Sequence, residues 1–182
     1  YFVRATYYYS FLRTFGDFPI ITEVLPDDKA VLIEKTVRQP RNKVALFILS
    51  DLDKAISYLN EQSNSGSMRI HKDVARALKS EVALFEGTWE KYHDVAGATP
   101  KAFLDAAVTF ADFVMSSGKF TFDTDFRTLF GSETKKGNET ILYRQYSAEL
   151  GITHCIASYA NRDENQTSSA NLAFLKSVIC ND

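Results

Sequence analysis

Residues 75–93 read ARALKSEVALFEGTWEKYH, and the spacing of their apolar side chains decides what kind of fold the chain takes. Together with Val74 just before them, Leu78, Val82, Phe85, Trp89 and Tyr92 step by four, four, three, four and three, which sets them on one continuous stripe of an α-helix. Such a stripe must be covered by other helices, and on this reading Trp89 and Tyr92 belong to the core. Ala75, Ala77, Ala83 and Gly87 are small enough to let a neighbouring helix approach closely. Ala102, Ala106, Ala107 and Ala111 repeat the device further along.

Upstream, residues 1–15 present Phe2, Ala5, Tyr8, Tyr9, Leu12 and Phe15 as a broad aromatic face, and Gly16-Asp17-Phe18-Pro19 ends that helix. The β-branched run that follows, with Pro26 inside it, predicts an extended connector up to residue 39. Pro40 opens a second long helix, where its missing N–H costs nothing. Val44, Ile48, Leu52, Ala55 and Leu59 form its buried face, which puts Asp51, Asp53 and Lys54 near solvent. Residues 60–67 then form a polar loop. Downstream, Thr99 is expected to cap a further helix with Pro100 at its first position, Phe103, Ala107, Phe110 and Val114 as its stripe and Gly118 at its end.

After Gly118 the pattern changes. Residues 119–123 alternate, residues 125–130 fit one short helical turn, and residues 139–146 read as a strand. Residues 147–170 are loop-like and residues 171–180 a short apolar helix or strand. The expected fold is therefore mainly all-α, with tetratricopeptide-like antiparallel helix pairs over residues 1–118 and a loop-rich, partly extended tail over residues 119–182. An ordinary antiparallel helical bundle satisfies the same periodicity.

A chain of 182 residues, 45% hydrophobic and 24% charged, is long enough for one sizeable core without staples. Its 14 Phe and 9 Tyr exceed what is usual; most fill core and grooves, while some Tyr can face a ligand. The net charge of −2 arises from scattered residues, so no basic stripe offers itself to nucleic acid. Cys155 and Cys180 have neither zinc-site spacing nor disulfide density. Two separate buried thiols are the preferred reading and a single bridge the alternative. No signal peptide, lipidation motif or membrane-spanning apolar run occurs. The opening inside a helix without Met, and the close just after an apolar run, mark a piece of a longer protein.

The chemical motifs point away from catalysis. The eight glycines never fall two apart, so no dinucleotide or phosphate-binding loop can be written, and no cofactor is implied. His71, His93 and His154 lie on different elements and read as structural or surface residues, not metal ligands. Asn161, Asp163 and Asn165 imitate the start of a calcium loop, but Gln166 and Leu172 stand where glycine and glutamate are needed. Asp27-Asp28 and Asp123 with Asp125 are pairs of the kind that glycoside hydrolysis needs, and read more simply as surface acids. His154-Cys155 gives no geometry for a thiolate–imidazole pair. Asn138-Glu139-Thr140 and Asn165-Gln166-Thr167 match a glycosylation triplet and mark only loops.

Four segments in order carry a resemblance: residues 4–19 with Arg-Ala-x-Tyr-Tyr-Tyr and Phe-Gly-Asp-Phe-Pro, residues 40–59 with Leu-Asp-Lys-Ala-Ile, residues 75–93, and Ser-Gly-Lys-Phe at 117–120. Together they resemble the SusD/RagB family of outer-membrane nutrient-binding lipoproteins. The resemblance implies a tetratricopeptide-like scaffold within a SusD-like domain, with a lipid anchor and most of the ligand site outside this segment. It implies non-catalytic binding of an oligosaccharide or polysaccharide at the cell surface, with delivery to a SusC-like TonB-dependent transporter. Tyr159, Asn161 and Arg162 combine an aromatic face with planar hydrogen-bonding groups in a loop, the composition a sugar ring requires, and are the candidate ligand contacts. A peptide-binding scaffold is the alternative function, and a glycoside hydrolase accessory domain the third.

Overall fold

The computed structural model describes residues 1–62, 66–132 and 138–153 together with Lys176. Six helices occur among them: α1 (Phe2–Phe15), α2 (Lys29–Lys35), α3 (Arg41–Tyr58), α4 (Lys72–Tyr92), α5 (Pro100–Met115) and α6 (Phe126–Gly131). The chain divides into two units, Tyr1–Tyr143 and Arg144–Asp182. In the first, α1 packs on α3, α3 on α4 and α4 on α5, so successive long helices form hairpins. The fold is mainly helical, as the periodicity predicts.

The aromatic opening helix is built around its own exit. Gly16 takes a φ of 69°, and its N–H donates to the Leu12 carbonyl. The turned chain brings Phe18 back against Phe11, ring centres 4.6 Å apart, and the Tyr8 hydroxyl accepts the Ile21 N–H at 2.8 Å. Asp17 then serves a different helix: its Oδ1 accepts the Arg41 N–H at 2.9 Å, so the carboxylate caps α3 from outside. Phe18 and Gln39 exchange both backbone hydrogen bonds, at 3.1 Å each, and close the connector between them into a loop.

The core lies where α1, α3, α4 and α5 meet, and includes Ala5, Leu12, Val44, Ile48, Leu52, Val82, Ala83 and Phe103. Close approach of α4 and α5 rests on Gly87. A Cβ there would stand 2.9 Å from Leu104 Cγ and 3.0 Å from Phe103 Cβ.

Several local expectations are corrected. The connector is not extended throughout: Asp28 accepts the Ala30 and Val31 N–H groups at 2.9 and 3.0 Å, and this cap starts α2. Asp51 is fully buried rather than near solvent, because α3 turns it toward Arg4 of α1, and Leu59 at the end of α3 is only half-buried. The expected stripe of α4 is buried at Val74 and Val82, with Leu78 and Phe85 packed against the core, but it fails at its end, where Trp89 is 38% and Tyr92 73% exposed. The buried face also takes in Asp73, Ala75, Lys79, Ala83, Glu86, Gly87 and Glu90. Residues 139–146 form no strand; within them Leu142 makes one isolated parallel bridge to Ser67, too little pairing for a ladder. The short helix expected over residues 125–130 is α6, started by Asp125, whose carboxylate accepts the Arg127 and Thr128 N–H groups.

In the second unit the described residues hold a tight turn. Ser147 and Ile152 exchange backbone hydrogen bonds of 2.8 and 3.0 Å, with Gly151 at a φ of 66° between them.

Candidate functional site

Charged side chains on the buried face of α4 join it to its neighbours. Glu86, with no exposed surface, accepts from Arg41 Nε at 2.9 Å and Nη2 at 2.7 Å, a two-pronged pair across α3 and α4. Glu90 accepts the Asn42 side-chain N–H at 2.6 Å through one oxygen and the Thr99 backbone N–H at 2.5 Å through the other. Glu90 thereby helps to start α5 in place of the expected Thr99 hydroxyl, which makes no cap bond and instead accepts from Asn42 at 3.3 Å. Lys79 pairs with Asp53 of α3. On the α1 side, Arg4 grips Asp51 with bonds of 2.6 and 2.8 Å.

A second network fastens the start of α4. Buried Asp73 accepts from Lys119 at 2.6 Å and Arg76 at 2.8 Å, and Glu61 shares both cations. Desolvation would raise both carboxyls, but the hydrogen bonds from Lys119 and Arg76 outweigh it and hold Asp73 and Glu61 below the usual carboxylate range. The acidic pairs that invited a hydrolase reading have structural uses: Asp28 and Asp125 both cap helices. Thr128, through its hydroxyl and N–H, keeps Asp125 below its ordinary value. Among the described residues no group of three or more His, Cys, Asp and Glu is placed to hold a metal ion, and no helix is long and apolar enough to cross a membrane.

Binding surfaces remain, and the aromatic residues decide among them. Arg41 lies 4.2 Å from the Trp89 ring centre, and the His93 ring lies 4.2 Å from it at an interplanar angle of 9°. Trp89, although partly exposed, is therefore already engaged by a cation and a stacked ring of its own chain. The exposed platform is instead at the other end of the bundle. Tyr1 and Tyr58 stack at 6.1 Å and 12°, and Tyr58 is 77% exposed. Lys54 Nζ stands 5.2 Å from the Tyr1 ring, and an open groove of about 310 Å³ between Phe2, Ala55, Leu59 and Ile70 runs beside the pair. A larger apolar cleft of about 370 Å³ lies between Val114 and Met115 at the end of α5, Phe120 and Phe122, and Glu139 and Ile141.

Tyr159, Asn161 and Arg162, the contacts expected from the sequence, lie outside the described residues, as do Asp163, Asn165, His154, Cys155 and Cys180. Sequence reasoning overlooked the charged seam because it counted only apolar positions. Yet Asp73, Arg76, Lys79, Glu86 and Glu90 recur at helical spacing and were visible as a second stripe.

No family model matches the chain. A SusD-like protein of Bacteroides ovatus is 29% identical over 147 residues, which covers 79% of this chain and 25% of that protein. Among solved structures, a SusD-like carbohydrate-binding protein of Bacteroides fragilis matches 81% of this chain and 26% of its own with a TM-score of 0.61 at 18% identity. A second SusD-like protein of that organism matches 80% of this chain and 26% of its own, with a TM-score of 0.59 at 22% identity. The chain spans about a quarter of the length of these relatives. In sequence and in fold it is similar to SusD-like proteins, as the ordered motifs implied.

Proposed function

We propose, taking this kinship as the premise, that the chain is the helical scaffold of a cell-surface protein that binds an oligosaccharide without altering it and passes it to a TonB-dependent outer-membrane transporter. The carrying observation is the joint likeness in sequence and fold, since one relative bears the name SusD-like and a fold neighbour is described as carbohydrate-binding. The interior supports a holding role: its buried carboxylates are tied to cations and backbone N–H groups that join helices. Residues 1–118 are the scaffold on this reading, and residues 119–182 the irregular part of the same domain. On the same reading a lipid anchor holds the protein at the outer membrane.

Tyr159, Asn161 and Arg162 are proposed to contact the sugar, with an aromatic face against the apolar C–H side of a pyranose and planar donors at its rim. A glycan-array screen of the full-length protein, with a reducing-end assay in parallel, tests the reading. The expected result is saccharide binding without release of reducing ends. A protein that ignores every saccharide at millimolar concentration and binds an extended peptide would be a peptide scaffold, and one that liberates reducing ends would be a hydrolase.

A further inference from the structure

The apolar cleft at the end of α5 has one wall that is fastened in an unusual way. Residues 138–143 supply that wall through Glu139 and Ile141. Four contacts hold the segment down: Thr121 N–H to the Asn138 carbonyl at 3.4 Å, Asp123 N–H to Glu139 Oε2 at 3.1 Å, Tyr143 N–H to the Ser67 carbonyl at 3.0 Å, and His71 Nε2 to the Ile141 carbonyl at 3.3 Å. His71 is 3% exposed, just ahead of α4. A carbonyl oxygen only accepts, so Nε2 must carry the hydrogen. The other ring nitrogen, Nδ1, is buried with no hydrogen-bond partner among the described residues, and Asp73 Oδ2, 3.8 Å from it, is also an acceptor. A neutral ring therefore sets a lone pair against a carboxylate, whereas an imidazolium presents a donor to each acceptor.

We propose that His71 is a proton-operated clip, which, when both nitrogens carry hydrogen, ties residues 138–143 and with them the wall of the apolar cleft to the start of α4. The surrounding charges act in both directions. Arg76 of α4 and Lys119 of the segment after α5 both bind Asp73 and oppose a further positive charge. Glu61 of the α3–α4 connection shares these two cations and offsets them, and Lys72 lies 3.9 Å from Glu61. Glu139, on the clipped segment itself, is occupied by the Asp123 N–H. Because Lys119 and Arg76 hold Asp73 and Glu61 below the usual carboxylate range, both carboxylates remain ionised from pH 8 down to about 5.5.

Amide exchange at Tyr143, whose N–H reports directly on the clipped segment, tests the proposal. After correction for intrinsic exchange, protection in the unaltered protein is expected to rise by about tenfold from pH 8 to 5.5, the scale of one hydrogen bond to a charged group. His71→Gln, which can donate to the Ile141 carbonyl but does not titrate, is expected to remove that rise. Equal protection at both pH values in the unaltered protein, or the same rise in the variant, overturns the proposal. Nitrogen-15 shifts of the His71 ring, which need no variant, decide independently: two N–H groups at pH 5.5 support the clip, and a bare Nδ1 there sinks it.

Discussion

Glu86 has no contact with solvent, although an apolar ladder would leave its position to the surface. Its stability depends on Arg41, which gives it two N–H donors from a side chain only 11% exposed. Breaking such a pair strands one charge in low dielectric, so Glu86→Ala should destabilise the fold by about 3 kcal/mol. Urea unfolding followed by fluorescence measures this, because the chain has one tryptophan, Trp89, and Arg41 lies on it. A loss below 0.5 kcal/mol would show that the pair contributes little. Asp73 gives a prediction of opposite experimental form. Its folded value lies below that of the unfolded chain, so its contribution is complete above pH ~3.9 and fades as pH falls through the folded value. Melting temperature should drop more steeply below pH 4 in the unaltered protein than in Asp73→Asn; parallel curves would contradict the assignment. The spacing of Glu86 and Glu90 was legible in sequence, but their burial and that of Asp51 was not, since a charge looks solvent-side until the partner helix is known.

At the level of elements, the positions of the long helices followed from apolar periodicity and from boundary signals, the stop at Gly16 and the start at Pro40, whereas the full extent of each buried face did not. The stripe of α4 is right at Val74, Leu78, Val82 and Phe85 and wrong at its end, at Trp89 and Tyr92. The buried charges claim part of the interior and push Trp89 and Tyr92 outward. Residues 139–146 looked like a strand because alternation predicts an extended chain without supplying a partner to pair with. Gly87, read from sequence as a close-contact position, is confirmed as one by α5. Gly87→Ala would gain helix propensity of about 1 kcal/mol but must displace Phe103 Cβ, an atom fixed near the backbone, as well as Leu104. Thermal unfolding should show a net loss of about 1–2 kcal/mol, and a stabilised variant would mean that α4 and α5 part easily.

Over the whole molecule, fold class and likeness were legible: four motifs in order suggested SusD-like proteins, and the chain is 29% identical over 147 residues to one of them. The candidate site is different, since Tyr159, Asn161 and Arg162 were chosen for a composition that suits a sugar and lie outside the described residues, and composition alone does not fix a position in space. On the proposed function, the helical body holds an oligosaccharide and leaves it chemically intact. Calorimetric titration of the full-length protein with soluble oligosaccharides, followed by chromatography of the recovered ligand, tests this most directly. The account predicts a saturable heat and a ligand returned at its original length; no heat with any oligosaccharide at millimolar concentration, or recovery of shortened products, would contradict it.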